Sequence, residues 1–157
     1  MEKTNVMRIL DQKKIAYEAL TYPHEENVCV DGAQVAKLLN IDSKIVYKTL
    51  VTIGNSKHYY VFVIPVLQEL DLKKCAKAVN EKSIALINFK DLLSITGYIR
   101  GGCSPIGMKK LFKTVFDISA QTQDKIIFSA GKIGYQVKVN PKDIAKLLNA
   151  SYNDLIL

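Results

Sequence analysis

The sequence has few of the residues that build metal sites and disulfide frameworks. It contains no tryptophan, three cysteines and two histidines among 157 residues. Cys29, Cys75 and Cys103 lie far apart without a CxxC pair, which indicates neither a disulfide framework nor a zinc site. His24 and His58 belong to no HExxH pattern, and the chain has neither a Walker loop nor a GxGxxG fingerprint. We therefore expect no metal and no other cofactor.

Long apolar runs are absent as well. No stretch approaches the roughly 20 apolar residues that a membrane-spanning helix needs. The N-terminal segment MEKTNVMRIL lacks the apolar region of a signal peptide. We therefore expect a cytoplasmic protein that does not associate with membranes. The chain length predicts one domain over residues 1–157.

Positive charge is in excess, because the formal net charge is +7. This excess favours an anionic partner such as nucleic acid or a phosphorylated ligand. The alternative is that the charge serves solubility alone. Two lysine groups at helical spacing could border a binding site, namely Lys73, Lys74 and Lys77, and Lys109, Lys110 and Lys113. No zinc finger, RNP motif or arginine-rich arm occurs, so sequence-specific readout of nucleic acid is not indicated.

The apolar periodicity predicts short strands and short amphipathic helices in irregular order. The strongest signal is a β-hairpin, with strands over residues 44–53 and 58–66 around the turn GNSK. Further strands are predicted over 15–20, 83–87, 114–119, 125–130 and 134–139. Helices are predicted after Thr4 and over 33–40, 72–80, 89–96 and 141–149, with one helical turn in 107–113. This pattern indicates an α+β fold, with a mixed, barrel-like sheet of six to seven strands and helices packed outside it.

Lys48 is out of pattern in its predicted strand. Side chains alternate between faces along a strand, so Lys48 shares a face with Val46 and Leu50. A lysine between two apolar neighbours could project its ammonium group into a cleft, to meet a phosphate or a carboxylate. The alternative is an edge-strand lysine that protects against aggregation.

The segment GYIRGGCSPIG (97–107) has four glycines in eleven residues, which allow its backbone conformations that other residues rarely adopt. Gly101 and Gly102, followed by Ser104, would expose several backbone N–H groups and one hydroxyl. Such a surface can hold a phosphate, or a carbonyl oxygen as it becomes an oxyanion. The alternative is an ordinary long turn.

A second glycine-rich turn, FSAGKIG (128–134), could form another rim of the same pocket or a plain hairpin turn. No GxSxG elbow is present. Cys103 lies in the glycine-rich loop, and neither histidine carries a recognisable partner motif, so nothing favours a Cys–His pair and the sequence leaves it open.

Four segments, TYPHE, YKTLV, GYIRGGCSPIG and FSAGKIG, occur in this order along the chain. In this ordered set the sequence resembles the bacterial Cys-tRNA(Pro) deacylases, the YbaK-type free-standing editing proteins. These proteins are related to the editing domain inserted in bacterial prolyl-tRNA synthetase. The resemblance extends from about Thr4 to Leu155, and it implies a small α+β domain around a mixed, barrel-like sheet.

The resemblance also implies site roles for Tyr22, Lys48, Gly101, Gly102 and Ser129, to which the loop residues add further candidates. Catalytic roles are expected for Lys48, Gly101, Gly102 and Ser129. Substrate-binding roles are expected for Tyr22, Thr49, Tyr98, Ser104, Gly131 and Lys132. The sequence departs from the family pattern at Cys103, where relatives often carry an aliphatic residue, and at Ala130, where they often carry glycine. The first departure argues against a catalytic thiol, and the second is expected to tighten the pocket.

The implied activity is cleavage of the ester that links cysteine to tRNA(Pro), and Cys-tRNA(Cys) is a further candidate substrate. Because this ester is already activated, positioning and oxyanion stabilisation suffice, and the substrate thiol could attack its own carbonyl. Such a deacylase is a hydrolase, or formally a lyase if the thiol cyclises. Two alternatives remain: an Ala-tRNA(Pro) deacylase, and a non-catalytic module that binds tRNA or a synthetase. Because a short chain has little surface to read a whole tRNA, prolyl-tRNA synthetase is expected as a transient partner.

Overall fold

Helices and strands alternate irregularly in the computed structural model, which describes residues 2–26 and 28–157. The α-helices are α1 (Asn5–Gln12), α2 (Gly32–Leu38), α3 (Leu72–Ala78), α4 (Phe89–Thr96) and α5 (Pro141–Leu148). The strands are β1 (Tyr17–Thr21), β2 (Tyr47–Gly54), β3 (Tyr59–Pro65), β4 (Ile84–Leu86), β5 (Lys113–Asp117), β6 (Ile126–Ser129), β7 (Tyr135–Val139) and β8 (Ser151–Asn153). Two 3₁₀ turns cover Ser43–Ile45 and Ile118–Thr122.

Polar side chains define where the helices begin. The Thr4 side chain accepts a hydrogen bond from the Met7 N–H at the start of α1. Asn88 caps α4 in the same way by accepting from the Lys90 N–H. Such caps satisfy amide groups that have no partner within the helix, and each contributes about 1 kcal/mol. Helix α4 ends at Gly97, which adopts a left-handed conformation with φ 88°, as its sequence position predicts.

Two sheets carry the strands, in the orders β4-β2-β3-β5-β8 and β1-β7-β6. The predicted hairpin is confirmed as the antiparallel pair β2–β3, whereas β3–β5 and β5–β8 are parallel. A parallel bridge between Val46 and Ile127 connects the start of β2 with β6. The mixed α+β architecture is therefore confirmed. The predicted strand number was too low, and the strands do not close into one barrel.

The main hydrophobic core lies between the two sheets. Its inner layer comes from alternate residues of the strands, and helices α1, α4 and α5 add side chains to it. Its members include Val6, Leu10, Val51, Val63, Leu92, Phe116, Phe128, Val137 and Ile144. Two smaller clusters lie on the outer faces, one under α3 around Phe62 and Cys75, and one under α2 around Val46 and Ile127. None of the helices described here is long and apolar enough to cross a bilayer.

Two local predictions differ from the structure. Residues 107–112 form no helical turn, because the Lys109 N–H donates to the Thr96 carbonyl at 3.0 Å and ties this segment to the end of α4. Strand β8 had no signal of its own, since it has three residues and depends on pairing with β5.

Candidate active site

Lys48 lies near the start of β2 and faces outward from the main core. Its neighbour Tyr47 is buried in that core, whereas Leu50, on the same face as Lys48, packs on the outer cluster under α3. The Lys48 side chain is 30% exposed, and its Nζ lies 4.0 Å from Glu69 Oε1. At that distance, with Glu69 largely exposed, the ion pair contributes little, so the ammonium group is available for a ligand.

Strand register brings Lys48 and Ser129 to the same face of the strands. The parallel bridge pairs Val46 with Ile127. Two residues further along each strand, Lys48 and Ser129 therefore point to that same side. Ser129 in turn pairs with Gln136 across β6 and β7. Because directly paired residues share a face, Gln136 joins them.

Tyr22 completes this group, which we call the Lys48 face: Tyr22, Lys48, Ser129 and Gln136. Leu20 pairs with Gln136, and the Tyr22 N–H donates to the Gly134 carbonyl at 3.0 Å. Tyr22 is 3% exposed, and its hydroxyl has no hydrogen-bond partner among the residues described. Leaving such a group buried and unpaired costs about 1–3 kcal/mol. A buried hydroxyl without a partner, on the same sheet face as a lysine and a serine, is suited to binding a polar ligand group.

Burial raises the pKa of Tyr22 above its usual value. The backbone of Gly134 and the side chain of Gln136 lie near this hydroxyl and oppose the shift, although neither meets hydrogen-bond geometry with it. The phenol therefore stays protonated at neutral pH and can donate a hydrogen bond to a ligand.

The glycine-rich segment makes a tight turn over residues 99–102. The Gly102 N–H donates to the Ile99 carbonyl at 3.0 Å, and Gly101 has φ 87°. A positive φ at the third position of such a turn favours glycine. The Gly102 amide is thus already occupied, whereas no acceptor is found in the described part of the chain for the N–H groups of Gly101 and Cys103. These two amides are the ones that can serve as oxyanion donors.

This turn packs closely on two neighbouring segments. A Cβ atom at Gly101 would lie 3.0 Å from the Cys29 Sγ, and one at Gly102 would lie 3.2 Å from the Ile133 nitrogen. Ile133 belongs to the turn that follows Ser129. The glycine-rich segment therefore adjoins the Lys48 face at the β6–β7 turn.

A cleft of about 470 Å³ opens at this junction. It is lined by His24, Glu26, Gly97, Tyr98, Ile99, Gly131, Lys132 and Ile133. Three predicted substrate-binding residues, Tyr98, Gly131 and Lys132, are among them. The lining includes none of the four predicted catalytic residues: Lys48 and Ser129 belong to the Lys48 face, and Gly101 and Gly102 to the glycine turn.

His24 and Glu26 were missed by the sequence reasoning. The His24 Nδ1 lies 2.9 Å from the Tyr22 carbonyl, and its ring stacks edge to face with Tyr22 and Tyr135. The TYPHE segment contained both Tyr22 and His24, but nothing in it indicated that the histidine and not the tyrosine would line the cleft.

Two cleft residues, Tyr98 and Lys132, have polar groups that already bind other parts of the protein. Tyr98 donates its hydroxyl to the Ile106 carbonyl, and burial raises the pKa of Tyr98 to about 12. Lys132 pairs with Glu2 at 2.7 Å, and its Nζ lies 5.5 Å from the centroid of the Tyr135 ring. Tyr98 therefore positions the glycine segment, while Lys132 offers an exposed positive charge at the rim.

Three further expectations are not matched by the side-chain positions. Thr49 pairs with Val63 and faces the main core, opposite to Lys48. Ser104 is fully buried, and its hydroxyl accepts from the Ile106 N–H at 3.3 Å. Ala130 is also fully buried within the main core, so its methyl group does not tighten the pocket as expected. The structure thus brings neither Thr49 nor Ser104 to the Lys48 face or the cleft.

Cysteine chemistry is not supported at position 103. The Cys103 side chain packs against the main core, and burial raises the pKa of its thiol to about 12. A protonated thiol is a poor nucleophile. Within the ranges described, no cluster of three His, Cys, Asp or Glu residues could hold a metal ion.

These features define a small editing-type domain, and the sequence comparison identifies the family. A profile of the aminoacyl-tRNA editing domain matches residues 26–147, and the chain belongs to that family. A protein of Enterococcus faecalis (strain ATCC 700802 / V583), named as the Cys-tRNA(Pro)/Cys-tRNA(Cys) deacylase EbsC, is similar to this chain. The two are 45% identical over 154 residues, which cover 98% of this chain and 93% of the relative.

Solved structures share the fold at low sequence identity. The crystal structure of hypothetical protein APE2540 aligns with a TM-score of 0.86 at 20% identity, covering 99% of this chain and 100% of that one. A structure described as a trans-editing enzyme for prolyl-tRNA synthetase aligns with a TM-score of 0.80 at 18% identity, covering 97% and 96%. These alignments support the expected α+β fold, apart from the strand number and the closed barrel corrected above.

Proposed function

We propose that this protein is a trans-editing deacylase that cleaves the ester of cysteine mischarged onto tRNA(Pro), with Cys-tRNA(Cys) as the second candidate substrate. The observation that carries the proposal is the 45% identity, over 98% of the chain, with a relative named for this activity. The positive net charge of +7 is consistent with a tRNA substrate.

The site supports a mechanism in which the substrate supplies the attacking atom. Its thiol sulfur bonds to the ester carbonyl carbon, the bond from that carbon to the ribose oxygen breaks, and the thiol proton passes to the ribose oxygen. Water then hydrolyses the cyclic thioester to free cysteine. This route needs no nucleophile from the protein, which agrees with the protonated, buried Cys103.

The protein's contribution in this mechanism is electrostatic. The N–H groups of Gly101 and Cys103 would hold the carbonyl oxygen as negative charge develops on it. Lys48 would bind the ribose or phosphate of the terminal nucleotide from the opposite side. Tyr22 would donate its unpaired hydroxyl to a polar atom of the substrate. Fixed donors of this kind, aimed at developing charge, are commonly the largest part of catalysis.

The test is a deacylation panel with tRNA(Pro) charged with cysteine, alanine or proline, measured with and without prolyl-tRNA synthetase. We expect cysteine to be released fastest and proline to be retained. Because the short chain has little surface to select a tRNA, the synthetase should increase the rate for tRNA(Pro) and not for other cysteine-charged tRNAs.

Two outcomes would contradict the proposal. Faster release of alanine than of cysteine would identify an Ala-tRNA(Pro) deacylase. A longer lifetime of all three esters in the presence of the protein would identify a module that binds charged tRNA and protects it.

A further inference from the structure

An exposed aromatic ring and a guanidinium group are stacked beside the cleft. Phe89 is the first residue of α4, and its side chain is 61% exposed. The Cζ atom of Arg100 lies 4.1 Å from the centroid of the Phe89 ring. Because Phe89 stays 61% exposed with Arg100 over its ring, much of the residue remains accessible to a ligand.

This pair is joined directly to the candidate active site. Arg100 stands between Ile99, which lines the cleft, and Gly101, whose amide is a candidate oxyanion donor. Helix α4 begins at Phe89 and ends at Gly97, another residue of the cleft lining. A ligand strand that leaves the cleft along α4 would therefore pass over the Phe89–Arg100 pair.

The surroundings of the pair are mainly basic. Lys90 follows Phe89, and Lys109 donates its Nζ to the Ser94 carbonyl of α4 at 3.3 Å. The cleft lining adds one basic residue, Lys132, and one acidic residue, Glu26. Asp91 is the acidic residue in the first turn of α4. With a net charge of +7 on the whole chain, this surface complements a phosphate backbone more than an acidic or neutral protein face.

We propose that Phe89 and Arg100 form a stacking platform for an unpaired base in the single-stranded 3′ end of the tRNA. The inference rests on the proposed function, because that end carries the aminoacyl ester. Proteins bind single-stranded nucleic acid by stacking bases on aromatic rings and arginine planes, and this binding tolerates any base sequence. The platform holds the strand so that the ester reaches the cleft.

The test measures binding of uncharged RNA, so that it does not depend on deacylation. Two fluorescent RNA minihelices are compared by anisotropy, one with a four-nucleotide 3′ overhang and one with a blunt end. Phe89→Ala and Arg100→Ala should each weaken binding of the overhang RNA by roughly 10-fold, the order expected for losing one stacked base. Phe89→Ala should not change binding of the blunt RNA, and Phe89→Trp should keep overhang binding.

Leu93→Ala is the matched control. Leu93 lies one turn further along the same helix, is 55% exposed and has no ring. The Leu93→Ala variant should bind both RNAs as tightly as the unmodified protein does. An equal loss with Leu93→Ala would indicate a general apolar surface for a protein partner and would overturn the inference. Unchanged overhang binding by Phe89→Ala would overturn it as well. An overhang-specific loss in a protein that fails to deacylate would support the platform while contradicting the proposed function.

Discussion

Lys48→Ala should lower the single-turnover rate of Cys-tRNA(Pro) deacylation by about 100-fold, because losing the cation that holds the terminal nucleotide misplaces the ester by roughly 1 Å. The reason is that Lys48 is the cation that register brings to the same strand face as Ser129 and Tyr22. Its own pairing with Glu69 at 4.0 Å is too weak to occupy it. The rate is measured with enzyme in excess over charged tRNA.

Two variants serve as controls for Lys48. Glu69→Ala removes the neighbouring carboxylate, which is exposed, and should leave the rate nearly unchanged. Cys103→Ala removes a thiol whose pKa burial raises to about 12, and should largely preserve activity. The opposite pattern, with an active Lys48→Ala and an inactive Cys103→Ala of normal thermal stability, would mean that the site is wrongly assigned.

Gly101→Ala should reduce deacylation by about 100-fold, the order expected when reacting groups are displaced by roughly 1 Å. Gly101 has φ 87°, and an added Cβ atom would lie 3.0 Å from the Cys29 Sγ and 3.2 Å from the Cys29 Cα. The backbone conformation alone would cost about 1–2 kcal/mol with alanine. The turn must shift to relieve the close contacts with Cys29 and the backbone strain. This shift moves the N–H group proposed to hold the carbonyl oxygen.

The matched control for Gly101 is Asn149→Ala. Asn149 has φ 52° at the end of α5 and does not line the cleft. Alanine at this position therefore adopts the same unfavourable left-handed backbone conformation, but away from the site. Both variants should melt at lower temperature than the unmodified protein, and only Gly101→Ala should lose activity. Equal rates for Gly101→Ala and the unmodified protein would exclude the turn from the mechanism.

The local features of this fold could be read from the sequence because they depend on neighbouring residues. The β2–β3 hairpin follows from period-two alternation around a short turn, and the end of α4 follows from Gly97. The parallel pairing of β3 with β5 joins residues far apart in the chain, so no local pattern indicates it. Strand β8 is defined only through its pairing with β5.

In the candidate site, too, the sequence indicated local features but not those that depend on tertiary packing. Lys48 stood out as a lysine between apolar residues, and its outward face follows from alternation. Thr49 follows it directly and was assigned to the same site, although alternation turns its side chain to the core. Ser104 looked exposed beside glycines, but its hydroxyl is used within its own turn. The contact of Gly101 with Cys29 depends on tertiary packing and had no sequence signal.

The most direct test of the account compares the deacylation rates of Cys-tRNA(Pro) and Ser-tRNA(Pro) by the unmodified protein. The two substrates differ only in sulfur against oxygen at the atom proposed to attack. Because a hydroxyl is a far poorer nucleophile than a thiol, the account predicts rapid loss of cysteine while serine remains attached. Equal rates for the two substrates would contradict it and would require an attacking group from the protein or water.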